Sequence, residues 1–399
     1  MEKIYENIKE AAEMLAAQEY NAGALARLIL ETSEGVFATK KGCVLSEVGE
    51  SDIEKLPFAK LPKGKQDIHA AVVAQTPFCM EWLRRGEPLI PSLDDMAQII
   101  GTKAPLIDAQ NGIQSAAANL ARTMKSNAGC FVISGKNEDG TLTGYTITVG
   151  RTLKEAVVAL TVLEKSAEVT LLTEKIGAPH HINAIERRLM RTVYLKKYSK
   201  PKANVGSNPM KDDGSREYIL RQQLADYGRK LVSCGLVQGT WGNLSVRLDE
   251  AHMLVTPSGI DYLTLSAGDM VKVNIHTLEY EGSLKPTSEK GLHAEVYRTR
   301  PEIGGVIHTH SKYCSVYAAA HMDLPVPAGD VACGFSNPVN LAKYALPGTK
   351  ALIKNTAAAI SGSYGAIMSN HGMIACGESL PHAFENCVKL EDFAKATLL

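Results

Sequence analysis

The sequence predicts an α/β fold, helices covering a β-sheet, built twice along one chain. Three observations carry that expectation. Short β-branched runs bounded by Gly or Pro turns are interspersed with longer segments of helical periodicity, as layered α/β domains require. Segments of the first half recur, in the same order, in the second half. Between the halves, "KKYSKPKANVGSNPMKDDGS" (196–215) has the Lys, Pro, Gly, Asn and Asp content of a linker. At 399 residues the chain has room for two or three domains that each bury a core.

The first copy opens on "MEKIYENIKEAAEML", a charged amphipathic helix pattern rather than the apolar stretch of a signal peptide. Next, "TKKGCVLSEVGESDIEKL" (39–56) lies without gaps on "TPSGIDYLTLSAGDMVKV" (256–273). "DIHAAVV" (67–73) resembles "VIHTHSK" (306–312), which sets His69 against His308 and Ala71 against His310. "GEPLIPSLDDMA" (86–97) resembles "HMDLPVPAGDVA" (321–332). A closing helix then pairs Gly150 with Gly377, Leu163 with Leu390 and Glu164 with Glu391, and His371 falls near Gly144. The first copy keeps architectural positions and loses polar ones, the pattern of a structural paralogue without metal.

The expected organisation is a degenerate, metal-free domain at 1–175, a tail helix and linker at 176–215, and a catalytic domain at 216–399. In the tail helix "NAIERRLMRTVYLKKY", Ile185, Leu189 and Val193 share one face. The second copy opens on "REYILRQQLADYGRKLVSCG", with Ile219, Leu220, Leu224 and Leu231 apolar and Gly235 ending the helix. It closes on a helix carrying Leu380, Ala383, Phe384, Val388 and Leu390.

Composition excludes some function classes. Lys plus Arg equals Asp plus Glu at 43 each, so no net field favours nucleic acid or an anionic membrane. The sequence contains no apolar run of bilayer-spanning length. Eight cysteines lie scattered without CxxC pairs, as expected of reduced thiols in a cytoplasmic protein. Cys314 and Cys376 read as buried filler.

The chemistry concentrates in "GGVIHTHSKYC" (304–314). In an extended strand, side chains at i and i+2 point to the same face, so His308 and His310 project together. They are either two ligands of one ion or two hydrogen-bonded core residues. His371, where an apolar strand meets a turn at Gly372, and Glu289, just before a helix expected to begin at a Thr287 or Ser288 cap, add an imidazole and a carboxylate. Three imidazoles and a carboxylate suit zinc or another divalent ion. His293, one turn after Glu289, is within reach of the same site but reads as helix packing. His180 and His181 read as surface residues, and His69 as a relic.

Three Gly-, Ser-, Thr- and Asn-bearing clusters, "GTWGNLSVR" (239–247), "TPSGIDY" (256–262) and "KPTSE" (285–289), fall close to these residues. Each alone reads as an ordinary turn. Together they can cradle a phosphate with backbone N–H groups and hydroxyls.

With "HAEVYRTRPEIGGVIHTHS" and "SNHGMIACG", these motifs stand in the order and near-spacing of the class II aldolase/adducin family, which residues 216–399 resemble strongly and residues 5–175 weakly. The resemblance implies two three-layer domains, each a central, mostly antiparallel sheet covered by helices. It implies that His308, His310 and His371 bind Zn²⁺ or a similar divalent ion, with Glu289 as ligand and acid/base. Gly242, Asn243, Ser258, Gly259, Thr287 and Ser288 fall where the family holds the substrate phosphate.

The implied activity is aldol cleavage of a ketose phosphate through a metal-stabilised enediolate. An L-ribulose-5-phosphate 4-epimerase-type activity and a non-catalytic, adducin-like scaffold are the alternatives. Asp330 is the candidate for the epimerases' catalytic Asp. Family sites lie between subunits of a ring and receive a tyrosine from a neighbouring tail helix. That makes Tyr194 and Tyr198 candidate proton donors and a homo-oligomer, with alternating domains in a pseudo-fourfold ring, the expected assembly.

Overall fold

In a computed structural model, residues 1–18, 26–57, 60–61, 67–198, 210–237, 241–327 and 334–399 are described, the side chains of 197 and 198 excepted. The chain divides into two compact units. One comprises Met1–Leu171 and His181–Ser199, the other Leu172–His180 and Lys200–Leu399. Among the described residues no helix is long and apolar enough to cross a membrane.

The first unit opens with α1 (Glu2–Ala16), followed by β1 (Arg27–Thr32), β2 (Gly35–Thr39), β3 (Ile53–Leu56) and β4 (Ala70–Ala74). Next come α2 (Pro77–Arg84), α3 (Asp94–Ile99), β5 (Leu106–Asp108), α4 (Ile113–Met124), β6 (Gly129–Lys136) and β7 (Leu142–Gly150). The closing α5 (Leu153–Ile176), whose residues from Leu172 on are counted in the other unit, is followed by α6 (Ala184–Val193) and a π-helical turn, Tyr194–Tyr198. The sheet order is β3-β2-β1-β4-β7-β6-β5, antiparallel throughout except for β5 with β6. Apolar residues of α1 and α5, among them Ile8, Leu15, Val157 and Leu160, cover one face through Leu28, Leu30 and Val72.

The second unit repeats this plan. It has α7 (Arg216–Ser233), β8 (Gly242–Arg247), β9 (His252–Val255), β10 (Val271–Asn274), α8 (Lys290–Thr299) and β11 (Gly305–Thr309). It continues with α9 (Lys312–Ala320), β12 (Leu341–Ala342), α10 (Lys350–Ala359), β13 (Gly365–Met368), β14 (Gly372–Gly377) and α11 (Leu380–Ala396). Its sheet order, β10-β9-β8-β11-β14-β13-β12, matches the first, and only β12 with β13 is parallel. One face is covered by α8 and α10, with Leu292, Val296 and Leu352 packed on Val255, Val273, Val306, Met368 and Ile374. Helices α7, α9 and α11 pack against strands of the same sheet, among them β8, β11 and β14, and α11 also packs against α7 and α9, giving a third layer. Gly235, at φ +69°, ends α7 as expected, but Ile219 is half exposed while Leu224 and Leu231 are buried. Cys314 and Cys376 are fully buried.

Strand register shows which positions correspond. Ala70 pairs with Gly150 as Gly305 pairs with Gly377. The Glu164 carboxylate accepts from Thr76 Oγ1 and the Phe78 and Cys79 N–H groups, as Glu391 does from Ser311 Oγ and the Tyr313 and Cys314 N–H groups. Both carboxylates satisfy the orphan donors that open a helix. These registers correct the placing of His69 against His308. The residue in the position of His308 is Val73, and that of His310 is Gln75. His69, like Gly304, precedes the strand and donates its N–H to the glycine that ends the next strand over. An Ile-His dipeptide shared by two β-branched runs is a weaker marker of register than the hydroxyl-to-glutamate clamp that begins two residues beyond the strand.

The remaining correspondences are consistent with this register. Gly144 takes the place of His371, and a Cβ there would meet the Val132 carbonyl oxygen at 1.9 Å. Gln75 Nε2 donates to the Gly144 carbonyl at 2.7 Å. Arg27 occupies the place of Asn243 and pairs with Glu54 at 2.5 Å.

Candidate active site

His308 lies on β11 on the same face as Val306, the face that α8 covers, and is fully buried. Its Nδ1–H donates to the Met373 carbonyl at 2.7 Å, a bond that fixes the tautomer and leaves a lone pair on Nε2. His371 stands in the turn between β13 and β14, after Asn370 in a left-handed conformation (φ 58°) that Asn tolerates. The Asn370 side chain braces this turn, bonded to His321 Nε2 at 2.6 Å and donating to the His180 carbonyl at 2.7 Å. His180 is exposed, yet its ring stacks on His321 at 4.2 Å.

His310 follows the end of β11. The His308, His310 and His371 ring centroids are 4.6–4.8 Å apart, with one ligand atom from each within 4.8 Å of the others. The Trp241 ring meets His310 edge-on at 5.8 Å.

Glu289 closes the cluster. Its Oε2 is 3.3 Å from His308 Nε2, its Oε1 3.0 Å from His371 Nε2, and Asn243 Nδ2 donates to Oε2 at 2.8 Å. The expected cap is corrected here. Glu289 itself is the N-cap of α8, and Thr287 Oγ1 accepts its N–H at 3.3 Å. The carboxylate makes no bond to its own helix and turns to the imidazoles instead. Burial alone would raise its pKa, but positive charge at His308 and His371, where their imidazoles are protonated, and the Asn243 bond hold the carboxyl well below the usual range.

A lone-pair nitrogen 3.3 Å from a carboxylate oxygen is repulsive unless a cation or a proton lies between them. Three imidazoles and a carboxylate facing one point therefore fit a divalent metal ion, by the chemistry of the donor set as well as by distance.

The three loop clusters come together. Pro257 bridges Pro286, the Ser258 N–H donates to Lys285 O, and the Thr287 N–H donates to Thr256 O. Ser258, Gly259, Thr287 and Ser288 thus lie on two adjoining segments. Gly242 and Asn243 begin β8, paired with Thr309 and His308. Gly242 has φ +132°, and a Cβ there would come within 2.8 Å of the His308 carbonyl, so Gly permits the close approach of β8 and β11.

Tyr194 belongs to the first unit, beside Arg191 at 5.8 Å, and burial pushes its phenol up to about 12. The Tyr198 side chain and Asp330 lie outside the described residues.

His293 is fully buried, with Nε2 bonded to Asn243 Oδ1 and Nδ1 bonded to Ser245 Oγ at 2.6 Å. Both ring nitrogens are thereby engaged away from the three histidines. Sequence reasoning missed this network, although its signal is readable. Glu289, His293 and Tyr297 recur every four residues on α8, and Asn243 and Ser245 alternate on β8.

Residues 222–398 match the family model of the class II aldolase and adducin N-terminal domain. A solved L-fuculose 1-phosphate aldolase is 36% identical, covering 48% of this chain and 87% of its own, with a TM-score of 0.43. The 5-methylthioribulose-1-phosphate/5-deoxyribulose-1-phosphate aldolase of Rhodospirillum rubrum is 36% identical over 182 residues, 46% of this chain and 81% of that protein. The 5-deoxy-D-ribulose 1-phosphate aldolase of Bacillus thuringiensis serovar kurstaki is 32% identical over 172 residues, 43% of this chain and 80% of that protein. Through its second half, this chain belongs to the class II aldolase/adducin family, and within it to the class II aldolases, which are lyases.

Proposed function

We propose that the second unit is a divalent-metal-dependent aldolase that cleaves a ketose 1-phosphate. The observation that carries this reading is the Glu289 carboxylate held against His308 and His371 at one buried point. The curated relatives, both aldolases of five-carbon ketose 1-phosphates, support the substrate class. When bound by His308, His310, His371 and Glu289, a divalent ion, zinc in this proposal, supplies a Lewis acid for the ketose carbonyl and its neighbouring hydroxyl.

The rest falls to the chain. Ser258, Gly259, Thr287, Ser288, Gly242 and Asn243 hold the phosphate. The C4 hydroxyl gives up its proton to the Glu289 carboxylate and the C3–C4 bond breaks, releasing an aldehyde. The electron pair passes to the three-carbon fragment, which is protonated at C3 to give dihydroxyacetone phosphate. Glu289 Oε1 or Oε2 carries the proton to or from carbon, and burial of its carboxyl keeps competing water away.

Around this centre we propose an arrangement supported by particular observations. The first unit is a metal-free duplicate, supported by the shared strand order and by Val73, Gln75 and Gly144 in place of the histidines. A homo-oligomer in which Tyr194 or Tyr198 reaches a neighbour's site is supported by Ile185 and Leu189, which α6 leaves exposed at 82% and 48%. A cytoplasmic location accords with the free state of the described cysteines.

The decisive experiment incubates the zinc-loaded protein with a panel of ketose 1- and 5-phosphates. Release of dihydroxyacetone phosphate from a 1-phosphate is expected. Epimer formation from a 5-phosphate without cleavage would replace this reading with the epimerase one, and no turnover of any sugar by metal-loaded protein would favour a scaffold. Turnover unchanged in both Tyr194→Phe and Tyr198→Phe would remove the tyrosines. A monomer by light scattering would remove the oligomer.

A further inference from the structure

We infer that His293 is a positioning residue for the aldolase reaction, holding the Asn243 amide so that its nitrogen, and not its oxygen, faces Glu289. The inference rests on the proposed role of Glu289 and adds a chain of side chains behind it. Asn243 Nδ2 donates to Glu289 Oε2 at 2.8 Å, Asn243 Oδ1 meets His293 Nε2, His293 Nδ1 meets Ser245 Oγ at 2.6 Å, and Ser245 Oγ meets Tyr297 Oη at 2.9 Å.

The polarity of this chain follows from one end. An ionised carboxylate only accepts, so Asn243 must donate to it with nitrogen and offer its oxygen to His293. His293 Nε2 therefore carries the proton, Nδ1 accepts from the Ser245 hydroxyl, and Ser245 accepts from the Tyr297 hydroxyl. A neutral imidazole suits this arrangement because it has one donor and one acceptor, and burial holds the His293 pKa near 3, so the ring stays neutral. With His293 in the other tautomer, Asn243 would turn its oxygen towards Glu289 and two acceptors would face each other in a buried site.

The chain also divides the duties of Asn243. Its oxygen is engaged by His293 and one amide proton by Glu289, while its backbone is paired with His308 in the sheet, which leaves one amide proton for a phosphate.

A double-mutant cycle tests the inference. His293→Leu is expected to lower kcat by about tenfold to a hundredfold, the range for residues that orient a catalytic group, with KM changed by less than about threefold and bound metal retained. His293→Gln, which keeps an amide N–H near the place of Nε2, should recover most of the loss. In an Asn243→Ala background, His293→Leu should cost less than about twofold further, because its route to Glu289 is gone. Equal losses in both backgrounds, or Gln no better than Leu, would overturn the inference.

The nitrogen shifts of ¹⁵N-histidine-labelled protein give a readout that needs no turnover. They should show His293 protonated at Nε2 alone. Protonation at Nδ1 alone would overturn the positioning role even in an active enzyme, whereas the expected tautomer in a protein inactive on every sugar would sink the aldolase reading and leave the chain of bonds standing.

Discussion

Replacing Glu289 by Gln removes the proton-transfer group while leaving three of the four proposed metal ligands in place. The amide has nearly the same shape as the carboxylate, and its oxygen still accepts from Asn243 Nδ2, bonded at 2.8 Å in the wild type. His308, His310 and His371 are untouched, so three ligands of the ion remain. What is lost is a group able to take up and return a proton. General acid/base catalysis by one side chain contributes about 10²–10⁴-fold, which at 1.36 kcal/mol per tenfold is roughly 3–5 kcal/mol of the barrier. Glu289→Gln should therefore lower kcat by about 10²–10⁴-fold while keeping at least about half the wild-type metal content. The assay is dihydroxyacetone phosphate released per unit time from a ketose 1-phosphate, coupled to its reduction by NADH, with elemental analysis of the same sample. A fully metallated variant within about tenfold of wild-type kcat would refute the assignment of proton transfer to Glu289.

His308→Ala should abolish both metal retention and turnover, since the buried imidazole fixed by the Met373 carbonyl is lost; activity persisting in a folded variant would contradict the ligand set. Stability should depend on pH through His293. Its folded pKa, near 3, lies below the unfolded value of about 6.5, so the folded state resists protonation; the contribution is complete above the unfolded value and falls by about 1.4 kcal/mol per pH unit as pH drops from 6.5 towards 3. Denaturation of the apoprotein at pH 6.5 and 4.5 should show a loss smaller in His293→Leu by about 2 kcal/mol, and equal losses would contradict the buried neutral imidazole. In the first unit, Lys165 Nζ and Asp95 Oδ2 pair at 2.8 Å with side chains 7% and 1% exposed, so Lys165→Met alone should destabilise by about 3–5 kcal/mol in urea, and an unchanged midpoint would show the pair to be dispensable.

The meeting of three histidines and Glu289 was largely legible because its markers are short-range. His308 and His310 are spaced for one strand face, and His371 and Glu289 sit at element ends that Gly372 and the start of α8 announce. The closing-helix correspondences were legible for a related reason, since Glu164 and Glu391 perform the same capping in both units. The pairing of His69 with His308 failed because a two-residue identity was weighed above the packing that decides register. The cap of α8 was misplaced because Thr and Ser are the commoner caps, whereas here the carboxylate gains more from two imidazoles than from its own helix. The His293 network was missed because each member alone looks like core packing, and its meaning comes from β8 and α8 lying against each other. The exposure of Ile185 and Leu189 was likewise invisible to periodicity, which identifies an apolar face without saying what covers it.

The most direct test of the central claim measures metal and turnover on one preparation. The account predicts about one divalent ion per chain, held by the second unit's three imidazoles and Glu289. It further predicts release of dihydroxyacetone phosphate from a ketose 1-phosphate that stops on chelation and returns on adding zinc. Full cleavage by a chelator-treated, metal-free protein would contradict it.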